Sequence, residues 1–448
     1  MLDQMFTAEN FRRIYDSENR KGLDLAGRYF PNLEPHTIAV RNKVQEIRAH
    51  RTKESSLKAE DFKQQLDVLK AELIQLKDTK SAAIDEAMDE ISLKVLRTGF
   101  KIELSQKTGP KGKPVYCIDS TPETFFVIKQ LQRNIHRIYG VKQANRHDLV
   151  CQVRDTVGTK FPFEMVRTDI SSFYESIDRN RLIKKLDQDQ LLSPSSKKFI
   201  SQVLDSYGAI SGAATGIPRG VGISAYLAEL YLRPVDKGIR AIPGLVLYCR
   251  FVDDVVAIFA RPSTGADLGP YQNRVIKVFT ENGLAHNPDK TFEFDLKSLE
   301  PKKFEYLGYR FLVKPGQCQI RASAAKILKY KKRMNAAFDD YWKHCSTDSK
   351  RAYRDLVARI KFLTGNTRLL NSKSRAATGI YYNNSVVNDP SSFVLLDKRL
   401  KRRVAKISRA SLRKRLKAYK FTDGFKARRF HNFNSRELQR IVRAWKYV

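Results

Sequence analysis

The sequence predicts an α+β fold, and three observations carry that expectation. Residues 38–97 run without a single Gly or Pro. Residues 161–312 alternate short β-type runs with helical runs, the mark of mixed helix-and-sheet layers. Residues 322–365 and 391–448 read as helical and strongly basic.

Residues 1–40 are short helical pieces cut by Gly22, Gly27, Pro31 and Pro35. In the stretch that follows, Phe62, Leu66, Leu69, Leu73 and Leu76 are spaced 4, 3, 4 and 3, an apolar helical seam. Two heptads are too few for a coiled coil, so the seam predicts an amphipathic helix packed on its own domain, with an oligomer or partner contact as the alternative. The loop from Lys107 to Pro114 lies between β-type runs KIELS and VYCID and reads as a basic hairpin. Helices are expected over Thr124–Tyr139 and around His147–Val157. Further strands are expected at FEMVRTDI, LVLYCRF, VVAIF, TFEFDL and FEYLGYRFLV. Further helices are expected over Arg179–Gln188, Pro194–Ser206, Ser224–Ile239 and Pro270–Asn282.

The 448 residues carry a formal net charge of +35. Such an excess calls for a polyanionic partner, nucleic acid first. The excess is uneven. Residues 201–300 hold 10 Lys and Arg against 11 Asp and Glu, while residues 398–448 hold 19 against 2. Basic side chains there release counterions from a phosphate backbone. The interleaved Tyr419, Phe421, Phe425, Phe430, Phe433, Trp445 and Tyr447 offer rings for base stacking or for a helical core. The candidate nucleic-acid-binding residues are Lys401, Arg402, Arg403, Arg413, Lys414, Arg415, Arg428 and Arg429. Five scattered cysteines lack metal spacing and suit a reducing compartment. No apolar run approaches the roughly 18 residues of a membrane span, and the first residues lack an apolar signal core. A cytoplasmic protein with no membrane contact is the expectation.

The chemistry centres on Phe251-Val252-Asp253-Asp254, a turn between two apolar β-type runs. Alone, an Asp-Asp turn is usually only a turn. A second carboxylate, Asp169, ends the run FEMVRTD. If the two segments lie on adjacent strands, their carboxylates form an oxygen-rich site suited to Mg²⁺. Two such ions about 3.5–4 Å apart clamp the attacking and leaving oxygens of a phosphoryl displacement. Three more segments follow this logic: the Gly-rich loop Gly216-Ile217-Pro218-Arg219-Gly220-Val221-Gly222, the Asn287–Thr291 stretch with Lys290, and Tyr306-Leu307-Gly308-Tyr309.

Together, in this order, the five segments resemble the palm of the reverse transcriptases, across about residues 105–312. The resemblance implies a right-hand polymerase with fingers at 101–165, palm at 166–312 and a basic helical thumb and RNA-binding region at 313–448, after an N-terminal helical region at 1–100. It implies catalytic Asp169, Asp253 and Asp254, and two Mg²⁺ ions (Mn²⁺ as substitute) held by Asp169, Ile170, Asp253 and Asp254. Tyr174 would be the aromatic gate that clashes with a 2′-OH. Lys290 would face the triphosphate as a charge or proton donor. Arg219, Arg146 and Arg154, with Lys111 or Lys113 as outsiders, would bind the nucleotide. Tyr306, Leu307 and Gly308 would form the primer grip. The family's loop reads Pro-Gln-Gly where this chain has Pro218-Arg219-Gly220. Arg has no acceptor and a fixed charge, so it cannot copy the amide's contacts but could hold a phosphate.

The substituted Arg219 and the run from Lys361 to Leu370 look similar to the bacterial antiviral (abortive-infection and defence-associated) reverse transcriptases, with retron-type enzymes next. That resemblance implies RNA-directed DNA synthesis from dNTPs, a dedicated noncoding RNA, a DNA product, and a partner protein or homo-oligomer. Three alternatives stay open: an RNA-dependent RNA polymerase (such enzymes usually have Gly where this chain has Val252), a template-independent nucleotidyltransferase, and a catalytically silent RNA-binding scaffold.

Overall fold

The structure is a computed structural model and describes residues 3–52, 59–109, 112–260, 269–296, 300–368 and 376–445. Lys111, Leu369, Leu370 and Tyr447 lie outside the described residues. The chain forms two compact units that interleave in sequence: Met1–Gln143 with Ser172–Arg233, and Ala144–Ser171 with Pro234–Val448.

In the first unit the long Gly- and Pro-free stretch becomes two antiparallel helices, Glu34–Arg51 and Ala59–Leu96. The rings of His50 and Phe62 stack at 4.8 Å, and Lys43 Nζ lies 2.7 Å from Glu72 Oε2. The seam from Phe62 to Leu76 is half-buried, as expected for a helix packed on its own domain. The far end of that helix buries Ile84, Met88, Ile91 and Val95, and Ser92 Oγ donates to the Phe6 carbonyl at 3.0 Å. Strands β1 (Leu104–Thr108) and β2 (Pro114–Ile118) form the expected antiparallel hairpin. The helix Pro122–Ile138 starts as its sequence dictates, with Pro122 at the first turn and Thr121 Oγ1 accepting from Thr124 N. Its inward face, including Phe126, Leu131 and Ile135, is fully buried.

In the second unit four antiparallel strands stand in the order β4-β5-β3-β6: β3 Phe163–Asp169, β4 Leu245–Phe251, β5 Asp254–Ala260 and β6 Phe292–Asp295. The central β5 reads as a continuous apolar run because both of its faces are covered. Val256 and Ile258 join the core built by Val150, Val153 and Val157 of the Arg146–Val157 helix. From the opposite face of the same strand, Phe259 stacks on Tyr271 of the Tyr271–Glu281 helix at 4.1 Å.

Two expectations need correction, and one strand adds to them. FEYLGYRFLV is not one strand but a hairpin, β7 (Lys302–Tyr306) and β8 (Tyr309–Lys314). Leu307 and Gly308 turn at φ of 46° and 75°, and two positive φ values give the turn whose twist matches a tight hairpin. A further strand, β9 (Gln317–Ala322), pairs with β8 and was not anticipated. Ser224–Ile239 is two helices, Ser224–Tyr231 and Arg233–Arg240. Pro234 has no amide proton to donate back into the first, so the helix breaks there.

The basic C-terminal part is helical as expected, with helices Ala324–His344, Ser349–Thr364, Ser391–Ala405, Ala410–Lys417, Phe421–Lys426 and Ser435–Arg443. Its hub is the buried Asn366 in the short strand β10 (Asn366–Arg368), which pairs with β11 (Ala377–Gly379). Asn366 Nδ2 donates to the carbonyls of Gly424 and Arg429, and its Oδ1 accepts from Tyr381 N. A Cβ on Gly424 would lie 1.6 Å from the Thr364 carbonyl, so only Gly fits there. The unusual 361–368 run is therefore a structural staple among helices.

Candidate active site

The sheet register brings the three carboxylates together. Asp169, the last residue of β3, is the Cα partner of Asp254, the first residue of β5. Asp253 sits in the two-residue β4–β5 turn beside Val252, whose φ is +60°. A β-branched residue rarely adopts that conformation, and such outliers concentrate at functional sites. Ile170 N donates to the Asp253 carbonyl at 3.1 Å, which ties the turn to the end of β3. Ile170's side chain is buried and apolar, so only its carbonyl could serve a metal.

Residues 285–291 clamp the same strand end. Asn287 N donates to the Asp169 carbonyl at 2.8 Å, and Ser171 N to the Ala285 carbonyl at 2.8 Å. Asn287 Oδ1 accepts from Asp289 N and shapes a short turn that carries Lys290. Lys290 Nζ donates to Asp169 Oδ2 at 2.5 Å. Lys290 is half exposed while the Asp169 side chain is 11% exposed, so the ammonium closes the carboxylate from the solvent side.

Asp254 is under electrostatic stress. Burial pushes its carboxyl up to about 6; Arg167 opposes this, while Asp169 and Asp253 add to it. Arg167 Nη2 is 3.5 Å from Asp254 Oδ1, beyond a good hydrogen bond, and that buried oxygen accepts none. A buried acceptor left without a donor, among carboxylates that repel one another, suits a hard divalent cation. As the side chains stand, no three His, Cys, Asp or Glu among the described residues surround one metal position. The Lys290 ammonium is the cation that Asp169 holds.

Sequence reasoning missed the residues that fix the turn. Arg250 forks onto Asp236 (Nε to Oδ1 2.7 Å, Nη2 to Oδ2 2.9 Å) and sends Nη1 to the Val252 carbonyl at 3.1 Å. Tyr248 OH donates to the same Asp236 at 2.7 Å. The signal was available in part: Tyr248 and Arg250 alternate onto one face of β4. Their partner, a helix away, was not readable.

The other candidates are placed as follows. Tyr174 lies in the Phe173–Ser176 helix of the first unit, half-buried, with the Arg219 guanidinium 5.5 Å from its ring centroid. Arg219 Nη2 donates to both oxygens of Glu175 at 3.0 Å, so its charge is met within the protein. The Gly216 loop is laced to that helix: Ile217 N donates to the Tyr174 carbonyl and Gly216 N to the Ile177 carbonyl. Gly216 has φ +93°, and a Cβ there would come 3.0 Å from Glu175 Cα. Arg146 donates through Nε and Nη2 to the Leu307 carbonyl, so it tethers the Tyr306-Leu307-Gly308 turn. Arg154 pairs with Asp155 at 2.7 Å, and Lys113 is exposed. Tyr306 is fully buried.

In the basic tail, Lys401, Arg402, Lys414, Arg415, Arg428 and Arg429 are exposed. Arg403 bonds Asn335, and Arg413 bonds the Ile407 carbonyl. Of the tail aromatics Phe421, Phe433 and Trp445 are buried in the helical core, while Phe430 is exposed.

A carboxylate pair on neighbouring antiparallel strands, with a third in the adjoining turn and a lysine on the first, is the arrangement that the sequence resemblance leads one to expect. Residues 127–311 match the family model of the reverse transcriptases (RNA-dependent DNA polymerases). No curated protein matches the sequence. Among solved structures it is similar to apo telomerase from Candida tropicalis truncated from its C-terminal domain, at 16% identity over 49% of this chain and 54% of that one, TM-score 0.34. It is similar also to Candida albicans telomerase in complex with a TWJ fragment of telomeric RNA (11% identity, 72% and 65% covered, TM-score 0.36). Apo Candida tropicalis telomerase gives 12% identity, 77% and 60% covered, and TM-score 0.38. The chain thus spans between about half and two thirds of those structures.

Proposed function

We propose that this protein is an RNA-directed DNA polymerase that joins dNTPs to a 3′ end. The observation that carries this reading is the register pair Asp169–Asp254 with Asp253 in the adjoining turn. Asp169, Asp253 and Asp254, with the Ile170 carbonyl, would hold Mg²⁺; bound divalent ions offset charge on the attacking and leaving oxygens. The protein's own share is positioning. The Arg250–Asp236 fork and the Ile170–Asp253 bond hold the turn against β3, so the backbone that carries the carboxylates would be in place before the ions arrive. Lys290, now on Asp169 and half exposed, would meet a triphosphate and give a proton to the leaving group. Tyr174 would exclude a 2′-OH.

The finer reading is an antiphage-defence enzyme of the cytoplasm that works with a dedicated noncoding RNA. The basic tail supports the RNA partner in this reading, with Lys401, Arg402, Lys414, Arg428 and Arg429 exposed for a phosphate backbone; the defence role rests on the resemblance of the sequence alone. Primer extension on an RNA template tests the core of the proposal. Wild type should extend with dNTPs, and Asp253→Ala/Asp254→Ala should not. Equal use of rNTPs and dNTPs would instead favour an RNA polymerase and remove the gate role of Tyr174. Tight RNA binding with no incorporation under any template or metal would leave only a scaffold.

A further inference from the structure

The second unit holds a cavity of about 450 Å³ between the Arg146 end of its first helix and the Ala324–His344 helix. Its wall carries Arg146, Lys326, Lys329 and Arg333, and no carboxylate. Among the described residues none of these four forms an ion pair. Four cations gathered around one space without a counter-charge repel one another, and proteins keep such arrangements where an anion binds.

The details sharpen this. Lys326 Nζ lies 3.9 Å from the Tyr309 ring centroid and donates to the Asn383 carbonyl at 2.7 Å. Burial, with the Arg146 charge added, pulls its ammonium down to about 8. Arg333 rests over the Trp445 ring at 5.4 Å, and its Nε is buried without an acceptor. An orphaned guanidinium donor points to a missing acceptor. At the mouth Tyr382 is 42% exposed, and its ring lies 5.6 Å from that of the exposed Phe430. Two exposed rings side by side next to a cationic cavity give the two halves of nucleotide recognition, phosphate and base.

We propose that this pocket binds single-stranded nucleic acid, taking one unpaired nucleotide with its phosphate against Lys326, Lys329 and Arg333 and its base on Tyr382. The cavity has the size of a small-molecule site, too narrow for a duplex. Rings stack on a base only when it is unpaired. This site lies apart from the three carboxylates in residue composition, and its binding is read without polymerisation, so it stands or falls independently of the polymerase reading.

The test is fluorescence anisotropy of the full-length protein with a short labelled oligouridylate and with a hairpin duplex of equal length, across a salt series. Lys329→Ala/Arg333→Ala should weaken oligouridylate binding by roughly tenfold and flatten the log K against log salt slope by about 1.4, near 0.7 per lost phosphate contact. Tyr382→Ala should weaken it by about fivefold or more, and Tyr382→Phe should restore it. Lys350→Ala/Arg354→Ala removes the same charge from an exposed face of the Ser349–Thr364 helix and should change little. Three results would each overturn the proposal: unchanged oligouridylate binding in the pocket variants, an equal loss in the Lys350/Arg354 control, or an equal loss on the duplex.

Discussion

Two regions of the second unit gather charge of opposite sign. At the end of the central sheet, Asp169, Asp253 and Asp254 gather, with Lys290 on Asp169 and Arg167 3.5 Å from Asp254. In the Arg146–Arg333 pocket, four cations face one cavity with no carboxylate. Each arrangement is costly for the protein alone and favourable once its counter-charge arrives. The first suits cations and the second a polyanion. The +35 charge is thus unevenly partitioned: the proposed chemistry falls where carboxylates gather, and the proposed binding pocket where its lining holds none.

That contrast can be broken at several points. The largest effect is expected at Arg250. Its side chain is 8% exposed and forks onto Asp236, so Arg250→Ala leaves a carboxylate without its partner. A loss of about 3–5 kcal/mol in unfolding free energy is expected. A melting temperature equal to wild type would show that the fork does not hold the turn. Lys290→Ala should slow primer extension by about 100-fold, in the range of a lost proton donor, while leaving oligouridylate affinity unchanged. A loss of binding instead would place Lys290 with the nucleic-acid surface. The smallest effect is thermal: Mg²⁺ should raise the melting temperature of wild type by roughly 5 °C, and that of Asp169→Asn/Asp253→Asn hardly at all. An equal rise in both would mean that the ion binds elsewhere.

The carboxylate cluster was legible because its logic is local. Each Asp ends or joins an apolar run, and adjacent strands were the simplest way for them to meet; the Asp169–Asp254 register does this. The hairpin in FEYLGYRFLV was not legible, because Leu307-Gly308 lacks the Asn or Asp that usually announces such a turn. Long-range partners were hidden for a different reason. Periodicity reads which face a side chain takes, not what meets it there. Arg219 was expected at a phosphate and is found on Glu175; Arg146 was expected at a triphosphate and is found on the Leu307 carbonyl. The tail aromatics divided likewise, with Phe421, Phe433 and Trp445 claimed by a core that only packing reveals.

The most direct test of the partition is to measure RNA affinity and primer extension on one variant, Asp169→Asn. The change keeps the side chain's shape and removes its charge. Extension should fall by about 1,000-fold or more, as for a lost transition-state contact in a metal-dependent site, while RNA affinity should stay within about twofold of wild type. Retained extension, or an affinity that falls together with the rate, would contradict the partition.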